Sequence, residues 1–331
     1  MKIVADSHIP YLDACINPDV QLVRCEHITR DDLLDADALL VRTRTHCNAD
    51  LLKGTPVQFI GSATIGTDHI DMDYCQQSGI TVCNAPGCNA PAVAQWVLSS
   101  IGKWMQMRGV SNTSSLTLGV VGVGHVGSIV ARWARQLGFT VLLNDPPLEH
   151  LGNCSLEFNH IYRLLNECDI ITFHTPLTHD GNWPTWHMCN GEFLSRARRC
   201  RLLLNAARGA VCDTSALLEW NGDLAIDCWE GEPNINRQLL DRAFVTTPHI
   251  AGYSQEGKMR GTAMVIQGLA QHFGLSIQPQ FPDAPHTGAE QVTVRQIMSS
   301  YNPLFDTFSL KAAPQLFETL RNGYSFRPEV Y

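Results

Sequence analysis

The feature that most constrains this chain is Gly122-Val123-Gly124-His125-Val126-Gly127, which directly follows an apolar run at residues 118–121. Glycines at these three places let the backbone turn sharply off a strand, approach a ligand closely and pack the next helix against the sheet. Amides in such a turn open a helix N-terminus, a natural seat for pyrophosphate. Alone the pattern is weak. Here the next apolar run, residues 140–143, leads to Asp145, eighteen positions beyond Gly127, where an acceptor for the adenosine ribose hydroxyls belongs. Pro146 and Pro147 follow it and give a 2′-phosphate no counter-charge, so NAD is predicted over NADP. A chain with this signature in this setting is predicted to build a doubly wound parallel sheet.

The same rhythm runs through most of the 331 residues, too many for one typical core. Before Asn89, short apolar runs at 2–5, 20–24, 38–41, 58–61 and 80–82 read as strands. Stretches at 11–16, 31–34, 49–52 and 71–77 read as helices between them. From Asn89 to Met107 one long helix is predicted, with Pro91 in its first turn and Val93, Val97, Ile101 and Met105 recurring every four residues. Strands follow at 117–121, 140–143, 170–173, 201–204, 224–226 and 244–245. Helices are expected at 125–137, 162–167 and 214–220, and a second long one at 255–272. The two long helices read as crossovers that make the first domain discontinuous; a simple two-domain order fits the periodicity equally well.

After residue 275 the texture changes. Pro279, Pro282 and Pro285 punctuate a loop, and residues 291–295 read as a strand. Ile297, Leu304, Phe305, Phe308, Leu310, Leu316, Phe317 and Leu320 are too many apolar positions for so short a tail to bury alone. The tail therefore packs on its parent domain or on a partner subunit.

A net charge of −8 with no basic run excludes a nucleic-acid footprint, and no stretch reaches the length of a membrane span. Twelve cysteines without a Cys-x-x-Cys pair, many beside apolar runs, read as free thiols in a reducing cytoplasm. The chain starts with no signal-peptide pattern. Neither His69 nor His174 lies in a metal-ligand spacing, so no metal site is expected.

Three residues carry the chemistry. Arg208 in Asn-Ala-Ala-Arg-Gly, Glu232 in Glu-Gly-Glu-Pro and His249 in Thr-Pro-His-Ile each follow a predicted strand. Residues just past the carboxyl ends of parallel strands line the ligand crevice. A guanidinium can hold a substrate carboxylate, an imidazole can move a proton, and a carboxylate beside the imidazole favours its charged form. That set suits oxidation of a hydroxy acid. Asp227 competes with Glu232 as the histidine's partner, and could equally meet the nicotinamide carboxamide. Arg42, Arg44, Lys258 and Arg260 are candidate anion binders, and a guanidinium fork matches an anion better than a point charge, which favours Arg44 over Lys258.

With Gly122–Gly127, residues 205–209 and Thr-Pro-His-Ile-Ala-Gly at 247–252, the chain resembles the D-isomer-specific 2-hydroxyacid dehydrogenases. A narrower resemblance, to the branch acting on a phosphorylated four-carbon acid, rests on residues 63–69, 85–90, 173–177, 229–233 and 251–253. The resemblance implies two doubly wound, Rossmann-like domains with a short C-terminal appendage. Residues 1–89 plus 250–274 would form a discontinuous substrate-binding domain, 90–249 the NAD-binding domain and 275–331 a dimerisation segment. It implies a homodimeric enzyme of vitamin B6 synthesis that oxidises 4-phospho-D-erythronate with NAD. Arg208, Glu232 and His249 would be catalytic. Gly122, Gly124, Val126, Gly127, Asp145, Thr175, Ala206, Ala207, Arg208, Asp227 and Gly252 would surround NAD. Thr43, Thr64 and Tyr253, with Arg44, would meet the substrate. The alternatives are a 3-phosphoglycerate or other D-2-hydroxyacid dehydrogenase and, from another class, an NAD(H)-binding corepressor-like module.

Overall fold

Short apolar runs alternating with helix-length segments fold into two parallel sheets, each in its own unit. The computed structural model describes residues 1–16, 19–152, 155–277 and 293–329. The first unit comprises Met1–Asn89 and the described residues from Ser254 to 277. Its strands are β1 (Lys2–Asp6), β2 (Gln21–Cys25), β3 (Ala38–Val41), β4 (Phe59–Ser62) and β5 (Thr81–Cys83), ordered β2-β1-β3-β4-β5. One apolar layer joins Val4, Leu39, Val41 and Ile60 to Leu33, Leu52 and Cys75. The other joins Ile3, Ala5, Leu40 and Phe59 to Val265, Ile266 and Leu269 of the helix Gln255–Phe273. That helix starts where the Ser254 side chain accepts from the Gly257 amide and stops at Gly274 in the left-handed region.

The second unit comprises Ala90–Tyr253 and the described residues from 293 on. Its strands are β6 (Thr117–Val121), β7 (Thr140–Asn144), β8 (Ile170–Phe173), β9 (Leu202–Asn205), β10 (Asp223–Ile226) and β11 (Val245–Thr246). The order is β11-β10-β9-β8-β6-β7, all parallel, with the reversal of direction between β6 and β8. Parallel strands covered on both faces read as continuous apolar runs, which is why their positions were legible. Register decides where the site lies. Val121 pairs with Asn144 and Phe173, Phe173 with Asn205, Asn205 with Ile226, and Ile226 with Thr246. Whatever follows these six residues leaves the sheet at one level.

Several expectations need correction. The helices predicted at 11–16 and 31–34 are single 3-10 turns, Asp13–Cys15 and Asp31–Leu33. Six-residue helices at Pro146–Leu151, Gly191–Arg196 and Arg237–Arg242 were missed. Each is too short to show a period, but each is capped by an Asp or Asn side chain (Asp145, Asn190, Asn236). Of the strand expected at 291–295, positions 291–292 lie outside the described residues. Thr293 caps the helix Val294–Ser300 through a capping box with Gln296.

The tail packs on the second unit. The helix Val294–Ser300 lies against Ala90–Met107, with Ile297 and Tyr301 in the same apolar layer as Trp96 and Trp104. The helix Pro303–Ala312 covers the edge strand β11, and the Thr307 hydroxyl accepts from the Thr246 amide at 2.9 Å. An otherwise open sheet edge is thereby closed. Leu310 and Phe317 are fully buried beside Leu203, Leu224 and Leu240. Truncating Leu310 to Ala is expected to cost about 2–4 kcal/mol. Urea unfolding checks this, and an unchanged midpoint would detach the tail from the core.

Candidate active site

The level strand ends deliver the predicted residues to one edge of the second sheet. Gly122 follows β6, Asp145 β7, Thr175 β8, Arg208 β9, Asp227 and Glu232 β10, and His249 β11. At the reversal point the glycine turn and the loop after β8 touch. Gly122 has φ +85°, and a Cβ there would lie 2.8–2.9 Å from the His174 carbonyl and the Thr175 amide. At Gly127 a Cβ would come within 1.9 Å of the Gly122 carbonyl, whereas at Gly124 it would meet nothing within 4 Å. The turn is thus closed toward the protein at Gly122 and Gly127 and open at Gly124. Val126 lies on the helix His125–Gln136 that the turn opens. Asp145 accepts from the Val123 amide at 2.7 Å and from Leu148 N at 3.0 Å. It braces the glycine turn, and its remaining lone pairs can still accept from a diol. The Thr175 hydroxyl is buried without a hydrogen-bond partner. An orphaned hydroxyl beside an open glycine turn suits a polar ligand, and these residues fit a dinucleotide.

The second half of the site is a loop held from several sides. Asp227 is 1% exposed, and its Oδ1 accepts from the Thr247 hydroxyl at 2.6 Å and from Ile250 N at 2.8 Å. Both its oxygens accept from Ala251 N at 3.0 Å, and its own carbonyl accepts from His249 N at 2.9 Å. Burial pushes this carboxyl up, opposed in part by His249 and by those donors. The loop forces His249 into the left-handed region at φ +56°, an uncommon backbone for a non-glycine residue. Its ring Nδ1 meets Glu232 Oε2 at 2.8 Å. Glu232, not Asp227, is therefore the histidine's carboxylate partner, because Asp227 is spent on the loop backbone. Gly252 and Tyr253 end the loop.

Glu232 is fixed in turn. Its Oε1 accepts from Trp229 N at 2.7 Å, and the Trp229 indole donates to the Thr247 carbonyl at 2.9 Å. Arg321 Nη1 lies 3.8 Å from Oε2. Burial alone would push the Glu232 carboxyl up. The His249 charge and hydrogen bond, the Trp229 amide and Arg321 outweigh it, and the group titrates below the usual glutamate range. With Nδ1–H donated to Glu232, the other ring nitrogen, Nε2, is left to accept a proton.

Arg208 ends the turn after β9. Asn205, 1% exposed, shapes that turn: its amide donates to the Arg208 carbonyl at 3.0 Å and its oxygen accepts from Ala207 N at 3.1 Å. Ala206 and Ala207 are the links between them. A Cβ on Gly209 would lie 2.0 Å from the Trp229 carbonyl carbon, so the Arg208 and Glu232 loops are in contact. Asn205 was not singled out from the sequence, though its place at the end of a strand inside a motif was a usable signal. Arg321 and Arg327, more than seventy residues away, left none.

In the first unit, Thr43 and Arg44 are exposed after β3, and the Thr64 hydroxyl pairs with Ser62 Oγ at 2.8 Å. Two candidate anion binders are otherwise engaged. Arg42 Nε donates to the buried Asp6 carboxylate at 3.1 Å, and Arg260 Nε to the Cys88 carbonyl at 2.7 Å. Lys258 lies on the helix Gln255–Phe273.

Two groups of metal-ligand side chains exist among the described residues. In Cys228, Glu232 and His249, burial together with Asp227 and Glu232 pushes the thiol well up, which disfavours a thiolate ligand. In His187, Asp213 and Glu230, Asp213 caps the helix Thr214–Glu219, and Glu230 accepts from both His187 Nε2 at 2.7 Å and the Thr214 amide at 3.3 Å.

Residues 89–251 match the family described as D-isomer specific 2-hydroxyacid dehydrogenase, NAD binding domain. The erythronate-4-phosphate dehydrogenase of Bacteroides thetaiotaomicron is 44% identical over 99% of this chain and 97% of its own length. The chain belongs to the erythronate-4-phosphate dehydrogenase family. The family's Marinobacter nauticus member is 42% identical over 99% of the chain and 93% of its own length. The Yersinia pestis (strain Pestoides F) member is 43% identical over 85% and 75%. The fold is shared with Aquifex aeolicus D-lactate dehydrogenase, solved with NAD and lactic acid, at TM-score 0.64 and 24% identity, covering 83% of this chain and 96% of that one. It is also shared with the NAD+-bound 3-phosphoglycerate dehydrogenase of Entamoeba histolytica, at TM-score 0.65 and 23% identity, covering 86% and 99%.

Glu232 offers a pH test. A carboxyl held below its ordinary value adds stability above the unfolded pKa, about 4.3, and loses it as pH falls through the folded value. Glu232→Gln is expected to be less stable than the parent by about 1–2 kcal/mol at neutral pH. The gap should close in acid, at a pH below the folded value. Urea titrations at both pH values check it; a gap that persists in acid would contradict the ionised Glu232 pairing.

Proposed function

We propose that this protein catalyses the NAD-dependent oxidation of 4-phospho-D-erythronate to 2-oxo-3-hydroxy-4-phosphobutanoate, a step toward pyridoxal phosphate in the cytoplasm. The observation that carries the reading is the His249–Glu232 pair at 2.8 Å, on the same sheet edge as Arg208, in a chain 44% identical to a full-length erythronate-4-phosphate dehydrogenase. A bound NAD would supply the acceptor for the hydride of the substrate's C2. Gly122, Gly124, Val126, Gly127, Asp145, Thr175, Ala206, Ala207, Arg208 and Gly252 would hold it, with Asp227 supporting the loop that carries His249.

The chain's own residues do the rest. Arg208 presents its guanidinium fork to the substrate carboxylate and to the oxygen that becomes a carbonyl. His249 Nε2 receives the C2 hydroxyl proton, and Glu232 stabilises the imidazolium that results. Thr43, Thr64 and Tyr253 would contact the substrate, and Arg44 would hold its phosphate. A homodimer is supported by Phe305 and Phe308, which are 70% and 67% exposed on the helix that covers β11.

Turnover of 4-phosphoerythronate with NAD, compared with 3-phosphoglycerate, tests the reaction; preference for the latter, or turnover of neither, would overturn it. His249→Asn is expected to lose roughly 100-fold or more in kcat while NAD affinity is nearly unchanged, because the residue acts on the substrate's proton. Asp145→Ala should narrow the preference for NAD over NADP. Arg44→Ala should weaken 4-phosphoerythronate far more than unphosphorylated erythronate. Equal loss with both would move the phosphate elsewhere.

A further inference from the structure

The C-terminal segment reaches the His249–Glu232 pair through Arg321, on the helix Phe317–Asn322. The Arg321 side chain is only 13% exposed. Its Nε donates to the Tyr253 hydroxyl at 3.3 Å, and its Nη1 lies 3.8 Å from Glu232 Oε2, the same oxygen that meets His249. The Tyr253 ring is flanked edge-on by Tyr324 and Phe326, at 6.2 and 6.3 Å, from the same segment. One guanidinium thus spans the carboxylate that orients the base and a tyrosine assigned to the substrate.

We propose that Arg321 is a positioning residue for the proton transfer, fixing the Glu232 carboxylate and the Tyr253 hydroxyl and balancing the charge beside His249. This rests on the reaction proposed above. The His249 ring meets Glu232 Oε2 at 2.8 Å and the Arg321 guanidinium pairs with the same oxygen at 3.8 Å, while Oε1 is taken by the Trp229 amide. The carboxylate favours imidazolium; the nearby guanidinium opposes it. The other charged or titratable groups around the pair are Asp227, committed to the loop, the Cys228 thiol, Arg208 and Tyr253.

The test compares Arg321→Gln, Arg321→Lys and Glu232→Gln by the pH profile of kcat/KM. It also follows the His249 imidazole by NMR of 13C-histidine-labelled protein, assigned with His249→Asn. In Arg321→Gln the acidic limb and the imidazole midpoint should both move up by about half to one pH unit. In Glu232→Gln they should move down. Arg321→Lys should hold the limb near its parental place yet lose roughly three- to tenfold in kcat, since an ammonium cannot span both partners as a guanidinium does. An unmoved midpoint in folded Arg321→Gln overturns the proposal. Should that variant fail to fold, parental kcat and KM in Arg321→Lys overturn it instead. The NMR readout needs no turnover, so a wrong substrate would leave the parent inactive without touching this result.

Discussion

The site depends on one buried carboxylate. Asp227 has no exposure to speak of and spends its oxygens on the Thr247 hydroxyl and on the amides of Ile250 and Ala251. A buried charge is tolerated only when such donors surround it. From the opposite charge, Arg327 donates to the carbonyls of Ile250, Ala251 and Tyr253, to that of Ala92 and to the Gln95 side chain, with the Tyr301 ring 4.4 Å beneath it. An anion takes the loop's amides and a cation takes its carbonyls. The strained backbone of His249 persists because both are in place.

Around that loop the remaining parts are positioned by contact rather than by sequence proximity. Glycines at 122 and 209 are places where one turn lies against another, and a methyl group at either would push two loops apart; at Gly127 it would strike the carbonyl of Gly122 within the turn itself. Asn205 shapes the Arg208 turn from inside, and Trp229 ties Glu232 to Thr247. Arg208, Glu232 and His249 are therefore carried on an edge whose tolerances are set by small residues and buried amides.

What could be read from the sequence follows from the same physics. Buried parallel strands appear as apolar runs, so every strand of both sheets was located to within a residue or two, and the strand ends pointed to Arg208, Glu232 and His249. The partner of His249 was not decidable, since Asp227 and Glu232 stand five residues apart after one strand and only the loop geometry separates them. Six-residue helices such as Gly191–Arg196 are shorter than two helical turns, and their caps resemble ordinary turn residues. The tail was legible as too apolar to stand alone. Its attachment rests on long-range hydrogen bonds such as Thr246–Thr307, which have no periodic signature.

The placement of Arg327 has a consequence for biosynthesis. A ribosome releases residues in order, so the loop carrying His249 emerges nearly eighty residues before the arginine that clamps its carbonyls. Until that stretch has cleared the exit tunnel, β11 is an uncovered sheet edge and the histidine's backbone lacks half of its restraint. The nascent unit is thus kept unfinished until the helix that covers β11 and Arg327 have both emerged. A chain interrupted before Arg327 carries Arg208, Glu232 and His249 but lacks the cation that takes the loop's carbonyls.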